Sequence, residues 1–279
     1  GTKAFAGLGE LLGSVDAVSI ATPTVSHHEV ASRCLEAGAH VFIEKPIAKT
    51  VDEARGIVDL GRERDLAVQV GHIERFNPAV RAAMTVLEGP KFIEVHRLGV
   101  FVPRGTDVAV VLDLMIHDID LILSTVDSDV VRVDAVGVPV LSGNIDIANA
   151  RITFADGCVA NVTASRVSRE KVRKIRFFQD DAYISVDSLK GRTQIFRRKD
   201  VPRDVLLRIA SGEIEGGLED VVDFEEPELD RAEPLKLELE SFIEAATNGT
   251  RPPVDGRDGL RALEVALEIV RQTGHLEAA

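Results

Sequence analysis

The sequence contains no tryptophan, one tyrosine, two cysteines and two methionines among its 279 residues. The scarcity of tryptophan and tyrosine leaves little for base stacking. Lysine and arginine together number 33 against 46 acidic residues, so no basic track for a phosphate backbone is available either. A nucleic-acid platform is thereby excluded. Cys34 and Cys158 give neither a disulfide framework nor a metal-ligand spacing, and they fit a reducing, cytoplasmic setting. No apolar run approaches the length of a bilayer span, so no membrane role is expected. The seven histidines form no H-E-x-x-H pair. His27 and His28 are adjacent and would point about 100° apart on a helix, so no metal site is expected. A P-loop and a G-x-S-x-G elbow are both missing. So is the G-x-G-x-x-G turn of a dinucleotide site, for which Gly7-Leu8-Gly9, in a helix-like segment with no strand ahead of it, is no substitute.

What is present is an ordinary balance for a soluble fold, 45% hydrophobic and 28% charged, in a chain long enough for two domains. The formal charge of −13 is unevenly spread. Ten acidic residues and one arginine between Glu213 and Glu233 give a local −9 and leave −4 elsewhere, which reads as a solvated acidic loop.

The first 72 residues alternate strand and helix. DAVSIA (16–21) is β-branched and apolar. Ser26-His27-His28-Glu29 then reads as a capping box opening a helix that ends at Gly38. HVFIE (40–44) is a second strand, Thr50-Val51-Asp52-Glu53 a second capping box, and LAVQVGH (66–72) a third strand after a helix to about Arg64. Short connections between alternating strands and helices predict parallel strands with right-handed crossovers. Beyond a helix over about 77–87 the texture changes to strand-like runs with few helices. The helix over about 113–125 is the clear exception. Asp156-Gly157 and Lys190-Gly191 supply hairpin turns. Two amphipathic helices, about 234–247 and 257–273, close the chain. The expected architecture is α/β plus α+β: a partial Rossmann parallel sheet over 1–72, then a domain over 73–279 built on a large, mostly antiparallel sheet.

Two places invite chemistry. Glu44-Lys45-Pro46 follows the second strand, where open parallel sheets place their ligands. A lysine there can hydrogen-bond a substrate hydroxyl, although a salt bridge and a turn proline are an equal alternative. In VVLDLMIHDID (110–120), Asp113 and His117 are four apart and share a helical face. A carboxylate that orients an imidazole suits a general base near neutral pH, against the bland alternative of a helix cap and a half-buried histidine. Together the two places suggest hydride-transfer chemistry on an alcohol.

VDAVSIATPTVSHHEVASRCLEAGAHVFIEKPIAKTVDEA resembles the central part of the Gfo/Idh/MocA oxidoreductases. It carries that family's A-T-P-x-x-x-H as Ala21, Thr22, Pro23 and His27, its E-K-P as Glu44, Lys45 and Pro46, and its D-x-x-x-H as Asp113 and His117. The resemblance implies an NAD- or NADP-dependent oxidoreductase. Lys45 and His117 would be its catalytic pair, Asp113 would support His117, and the two strand-end motifs would bind cofactor. It also implies an often cis Lys-Pro bond and a homodimer or homotetramer formed through the open sheet. GHIERFNPAV, EVHRLGVF and DVAVVLDLMIHDIDL are similar to the nucleotide-sugar branch of that family. That narrows the expected substrate to a sugar or nucleotide sugar such as UDP-N-acetylglucosamine, with Arg75, Asn77, Arg97 and Arg104 as candidate contacts. Thr106-Asp107-Val108-Ala109 stands where the family usually has a glycine pair. The resemblance further implies about 60 residues ahead of Gly1 that would carry the first strand, the glycine turn and the acidic ribose ligand. The alternative expectation, from another class, is a non-catalytic oligomeric module that has lost dinucleotide binding.

Overall fold

The structure is a computed structural model describing residues 2–102, 108–214 and 217–274. In chain order its elements are α1 (Leu8–Leu12), β1 (Ala17–Ile20), α2 (His27–Glu36), β2 (His40–Glu44), α3 (Val51–Glu63), β3 (Val68–Gly71), α4 (Pro78–Met84) and β4 (Phe92–Leu98). There follow α5 (Ile116–Thr125), β5 (Val130–Val138), β6 (Ile147–Phe154), β7 (Val159–Ser165), β8 (Val172–Phe178), β9 (Ala182–Asp187) and β10 (Arg192–Arg198). The last elements are α6 (Arg203–Ala210), α7 (Leu218–Val221), β11 (Val222–Glu225), α8 (Pro234–Asn248) and α9 (Gly256–Gln272). Two units result, one drawn from residues 1–76, 111–124 and 232–279, the other from 77–110 and 125–231. A single cut at residue 72 does not describe them. The segment carrying Asp113 and His117 and both closing helices fold with the first three strands, because their apolar faces are buried there.

In the first unit β1, β2 and β3 lie parallel in that order. Val41, Phe42 and Ile43 are fully buried, as expected of a strand covered on both faces. Thr50 caps α3 as its sequence predicts: its Oγ1 accepts from the Glu53 N–H (3.2 Å), and the Glu53 carboxylate accepts from the Thr50 N–H (3.1 Å). The box expected at Ser26 does not form. Ser26 already has a helical backbone at the end of a 3-10 turn (Thr24–Ser26), and its hydroxyl donates to the Pro23 carbonyl instead (2.8 Å). At the other end of the chain Asp255 caps α9, accepting from the N–H groups of Arg257 and Asp258. The residues just before α9 run antiparallel to β3, the Val70 N–H donating to the Val254 carbonyl. Gly259 then lets the helix lie directly on the strand, since a Cβ there would come within 2.6 Å of the Val70 side chain. Helix α8 joins the same core through Phe242, whose ring sits 5.9 Å from that of Phe42.

The second unit is an eight-stranded sheet in the order β11-β10-β9-β8-β4-β7-β6-β5, antiparallel except for the β4–β7 pair. Both predicted hairpin glycines adopt left-handed backbone, φ +89° at Gly157 and +59° at Gly191. Strands alternate cleanly, Ile93 and Val95 facing inward on β4 and Ala160, Val162 and Ala164 on β7. The outer face carries a row of aromatic rings, Phe92, Phe178, Tyr183, Phe196 and Phe224, with successive centroids 4.9 to 5.6 Å apart. The acidic stretch is not all loop. Val222–Glu225 pairs with β10 as an edge strand, because β10 is basic where the stretch is acidic. Arg192 makes a bidentate bond to Glu226 (2.7 and 2.6 Å) and Lys199 approaches Asp223 (3.5 Å).

Candidate active site

Lys45 follows the last residue of β2, and the Lys45–Pro46 bond is cis. Its ammonium donates to the backbone carbonyl of Asp113 (2.5 Å) and lies 3.3 Å from the Asp113 carboxylate. The helix expected to start at Asp113 begins instead as a π-helical turn over Val111–Met115 and becomes α-helical at Ile116. Such wide turns arise where backbone groups serve something other than the helix. Here the Asp113 carbonyl serves Lys45. Val111 and Met115 are fully buried and anchor the turn, while the Asp113 side chain stays partly exposed. One oxygen of the carboxylate expected to support His117 also lies beside Lys45.

His117 lies one turn further on, and its ring meets the ring of His72 edge-on, with centroids 6.0 Å apart and planes at 88°. Sequence reasoning did not single out His72. The signal was its position, one residue beyond β3, the same strand-end setting as Lys45. It is 1% exposed, and neither ring nitrogen has a hydrogen-bond partner among the described residues. Burial lowers its pKa; the Asp120 carboxylate opposes this, and the positive charges of Arg75 and Lys45 reinforce it. The net effect favours the neutral imidazole at His72.

Arg75, expected at the substrate, points into the first unit. It makes a bidentate bond to Asp120 on α5 (2.7 and 2.8 Å) and approaches Asp258 on α9 (3.8 Å). Burial works against its charge, but the bond to Asp120 and the carboxylates of Asp120, Asp258 and Asp255 outweigh it and raise its pKa. Glu238 on α8 was also missed. It is 1% exposed, and its pKa is pushed up to about 8, first by burial and then by repulsion from Glu44 and Asp120.

Ala21, Thr22 and Pro23 form an exposed stretch after β1. His27 is buried behind it, its Nδ1 2.9 Å from the Pro46 carbonyl and its Nε2 2.8 Å from the Thr22 carbonyl. It ties together the ends of β1 and β2. Asn77 and Arg97 belong to the second unit. Asn77 caps α4, accepting from the Ala79 N–H (3.0 Å), and Arg97 is buried on the inward face of β4. Arg104 lies outside the described residues. Among those residues no group of three or more His, Cys, Asp or Glu could hold a metal ion.

These positions can be tested against a dinucleotide. The exposed Ala21–Pro23 backbone and the half-buried Glu44 and Lys45 stand side by side at the carboxyl ends of paired strands, where Ile20 lies opposite Ile43. That edge fits the nicotinamide half of such a cofactor. No residue of this sequence supplies the glycine turn for its phosphates.

The chain belongs to the Gfo/Idh/MocA family of oxidoreductases. Residues 1–72 match the family's NAD-binding Rossmann domain, and residues 95–185 match its C-terminal domain. Its similarity to the UDP-N-acetylglucosamine 3-dehydrogenase of Acidithiobacillus ferrooxidans is 38% identity over 96% of this chain and 82% of that protein. A solved structure of that enzyme superposes with a TM-score of 0.86, covering 97% of this chain and 82% of its own. The scyllo-inositol 2-dehydrogenase (NAD+) of Bacillus subtilis is 26% identical over 91% of this chain and 74% of its own. A levoglucosan dehydrogenase in complex with NADH and levoglucosan, 18% identical, shares the fold, with a TM-score of 0.80, 97% of this chain and 81% of its own covered.

Proposed function

We propose that this chain is an NAD(P)-dependent dehydrogenase acting on a hydroxyl of a nucleotide sugar, of the UDP-N-acetylglucosamine class, at the sugar 3-position. The observation that carries the proposal is the 38% identity to a UDP-N-acetylglucosamine 3-dehydrogenase across 96% of the chain. It is supported by Lys45 contacting Asp113 at the end of β2, with His117 one helical turn beyond Asp113 and against His72 at the end of β3.

In this proposal His117 takes the proton of the reacting hydroxyl, and Lys45 donates a hydrogen bond to the same oxygen. Asp113 holds Lys45 through its carbonyl and carboxylate, which keeps the ammonium at the strand end. The chemistry that the nicotinamide supplies when bound is hydride acceptance. Arg75 and Asp120 brace the turn after β3 rather than bind substrate, while Asn77, Arg97 and Arg104 are the proposed substrate contacts. The aromatic row on the outer face of the large sheet supports a homodimer or homotetramer assembled there, because such a face is ordinarily covered. The two buried, unpaired cysteines support a cytoplasmic setting.

The test is turnover of UDP-N-acetylglucosamine with NAD or NADP, followed by the absorbance of the reduced cofactor. Lys45→Ala and His117→Ala are each expected to lower kcat by about 10²- to 10⁴-fold, the range of general acid–base catalysis. Full turnover in both variants would remove these roles. An NADH titration with no saturable signal would favour a non-catalytic module.

A further inference from the structure

A buried histidine with two unpaired ring nitrogens is an unfavourable choice for a core position, because phenylalanine would fill the same space with no polar atoms to satisfy. His72 is such a residue. Its backbone is firmly placed: its N–H donates to the Val70 carbonyl (2.8 Å), and its carbonyl accepts from Arg75 (3.1 Å). Its side chain meets the ring of His117 edge-on.

We infer that His72 is a positioning residue for His117, acting through a ring-nitrogen lone pair, which accepts a hydrogen bond from His117 once that ring has taken up a proton. This deepens the proposed function and rests on His117 being the base. At a centroid separation of 6.0 Å the two rings are one small side-chain rotation, or one bridging water, from that bond. The proton stays on His117; His72 changes neither charge nor composition.

The charges around the pair explain why a neutral acceptor suits this place. Lys45 stands at the β2 end, held by Asp113, and Arg75 in the turn after His72 is held by Asp120 from α5 and Asp258 from α9. Glu238 on α8 lies near Glu44 and Asp120, and the buried acids Glu74 and Asp118 stand two residues from His72 and next to His117 in the chain. A second imidazolium beside Lys45 and Arg75 would repel the charge forming on His117. A ring held neutral by burial and by those two cations accepts the new N–H without repulsion.

His72→Phe in the intact protein removes both nitrogens and keeps the ring. Two quantities are read: the titration midpoint of His117, by NMR of its ring, and the steady-state constants. Loss of the acceptor should lower the midpoint by about one pH unit, a roughly tenfold loss of proton affinity. The acid limb of the kcat/KM profile should move the same way, and kcat should fall about tenfold with KM unchanged. His72→Gln, which restores an acceptor oxygen, should recover part of each loss, and it replaces the Phe variant if that one does not fold. An unmoved His117 midpoint with unchanged kcat overturns the inference. The midpoint needs no turnover, so it decides the role of His72 even if His117→Ala proves active and the base assignment fails.

Discussion

Replacing Glu238 by glutamine tests the electrostatics of the first unit most directly. The carboxyl is buried on α8, with a folded-state pKa of about 8 against an ordinary 4.5. Below the ordinary value it is protonated in both folded and unfolded chains and costs nothing. As pH rises past 4.5 the unfolded chain releases the proton and the folded chain keeps it, so stability falls until the folded group also ionises near 8. At 1.36 kcal/mol per unit, the loss at neutral pH is about 3 kcal/mol, and it levels off near 5 kcal/mol above the folded pKa. Glutamine has no proton to lose. It buries an amide whose NH2 needs an acceptor, which offsets about 1–3 kcal/mol of the gain. Glu238→Gln should therefore be neutral to modestly stabilising at neutral pH, and its advantage should widen steadily towards alkaline pH. Urea unfolding of both proteins at several pH values between about 4.5 and 9 measures this, with midpoints and slopes fitted at each. The deciding quantity is the slope of stability with pH, not the difference at one pH. Parallel profiles for the two proteins would refute the reasoning, because they would mean that Glu238 is ionised in the folded state.

Gly259→Ala should destabilise by about 1–3 kcal/mol despite the better helix propensity of alanine, because the new Cβ would lie 2.6 Å from a buried Val70 methyl that has nowhere to move. An unchanged or higher melting temperature would show that α9 can lift off β3 at little cost. Asp120→Asn breaks the buried bidentate pair with Arg75 and leaves that guanidinium undercompensated, so a loss of about 3 kcal/mol is expected in chemical denaturation. A loss below about 1 kcal/mol would mean that Asp258 alone can hold Arg75.

The architecture was legible because two different periodicities follow each other along the chain. VFI in β2 is a run that only a doubly covered strand buries, and the alternation around Ile93 and Val95 belongs to a sheet covered on one face. The turns were equally plain, since Gly157 and Gly191 sit where a left-handed residue is needed. Less visible was which segments fold together. Nothing local tells α9 to pack on β3 rather than on the large sheet; the small residues Gly256 and Gly259 are meaningful only once Val68 and Val70 lie opposite them. The edge strand at Val222 was hidden for a similar reason. Its acidity reads as solvation until the arginines of β10 are beside it.

The positions of Lys45 and His117 could be read from short motifs because each motif places its own residue, at a strand end or on a helical turn. Their surroundings could not, because charge compensation is a long-range property. Asp113 had to be seen beside Lys45, 68 positions away, before its carboxylate could be assigned to the lysine. Arg75 looked like a free cation suited to phosphate until Asp120 and Asp258 appeared on either side of it. The same logic explains Glu238. From sequence it is one of many glutamates on an amphipathic helix. In the fold it is buried, and it lies close enough to Glu44 and Asp120 that a third negative charge there is unfavourable, so its carboxyl holds its proton near neutral pH. Glu238 and His72 have this in common: each is a buried ionisable group beside charged neighbours. Burial weighs first against charge at both, with repulsion from Glu44 and Asp120 added at Glu238 and from Arg75 and Lys45 at His72.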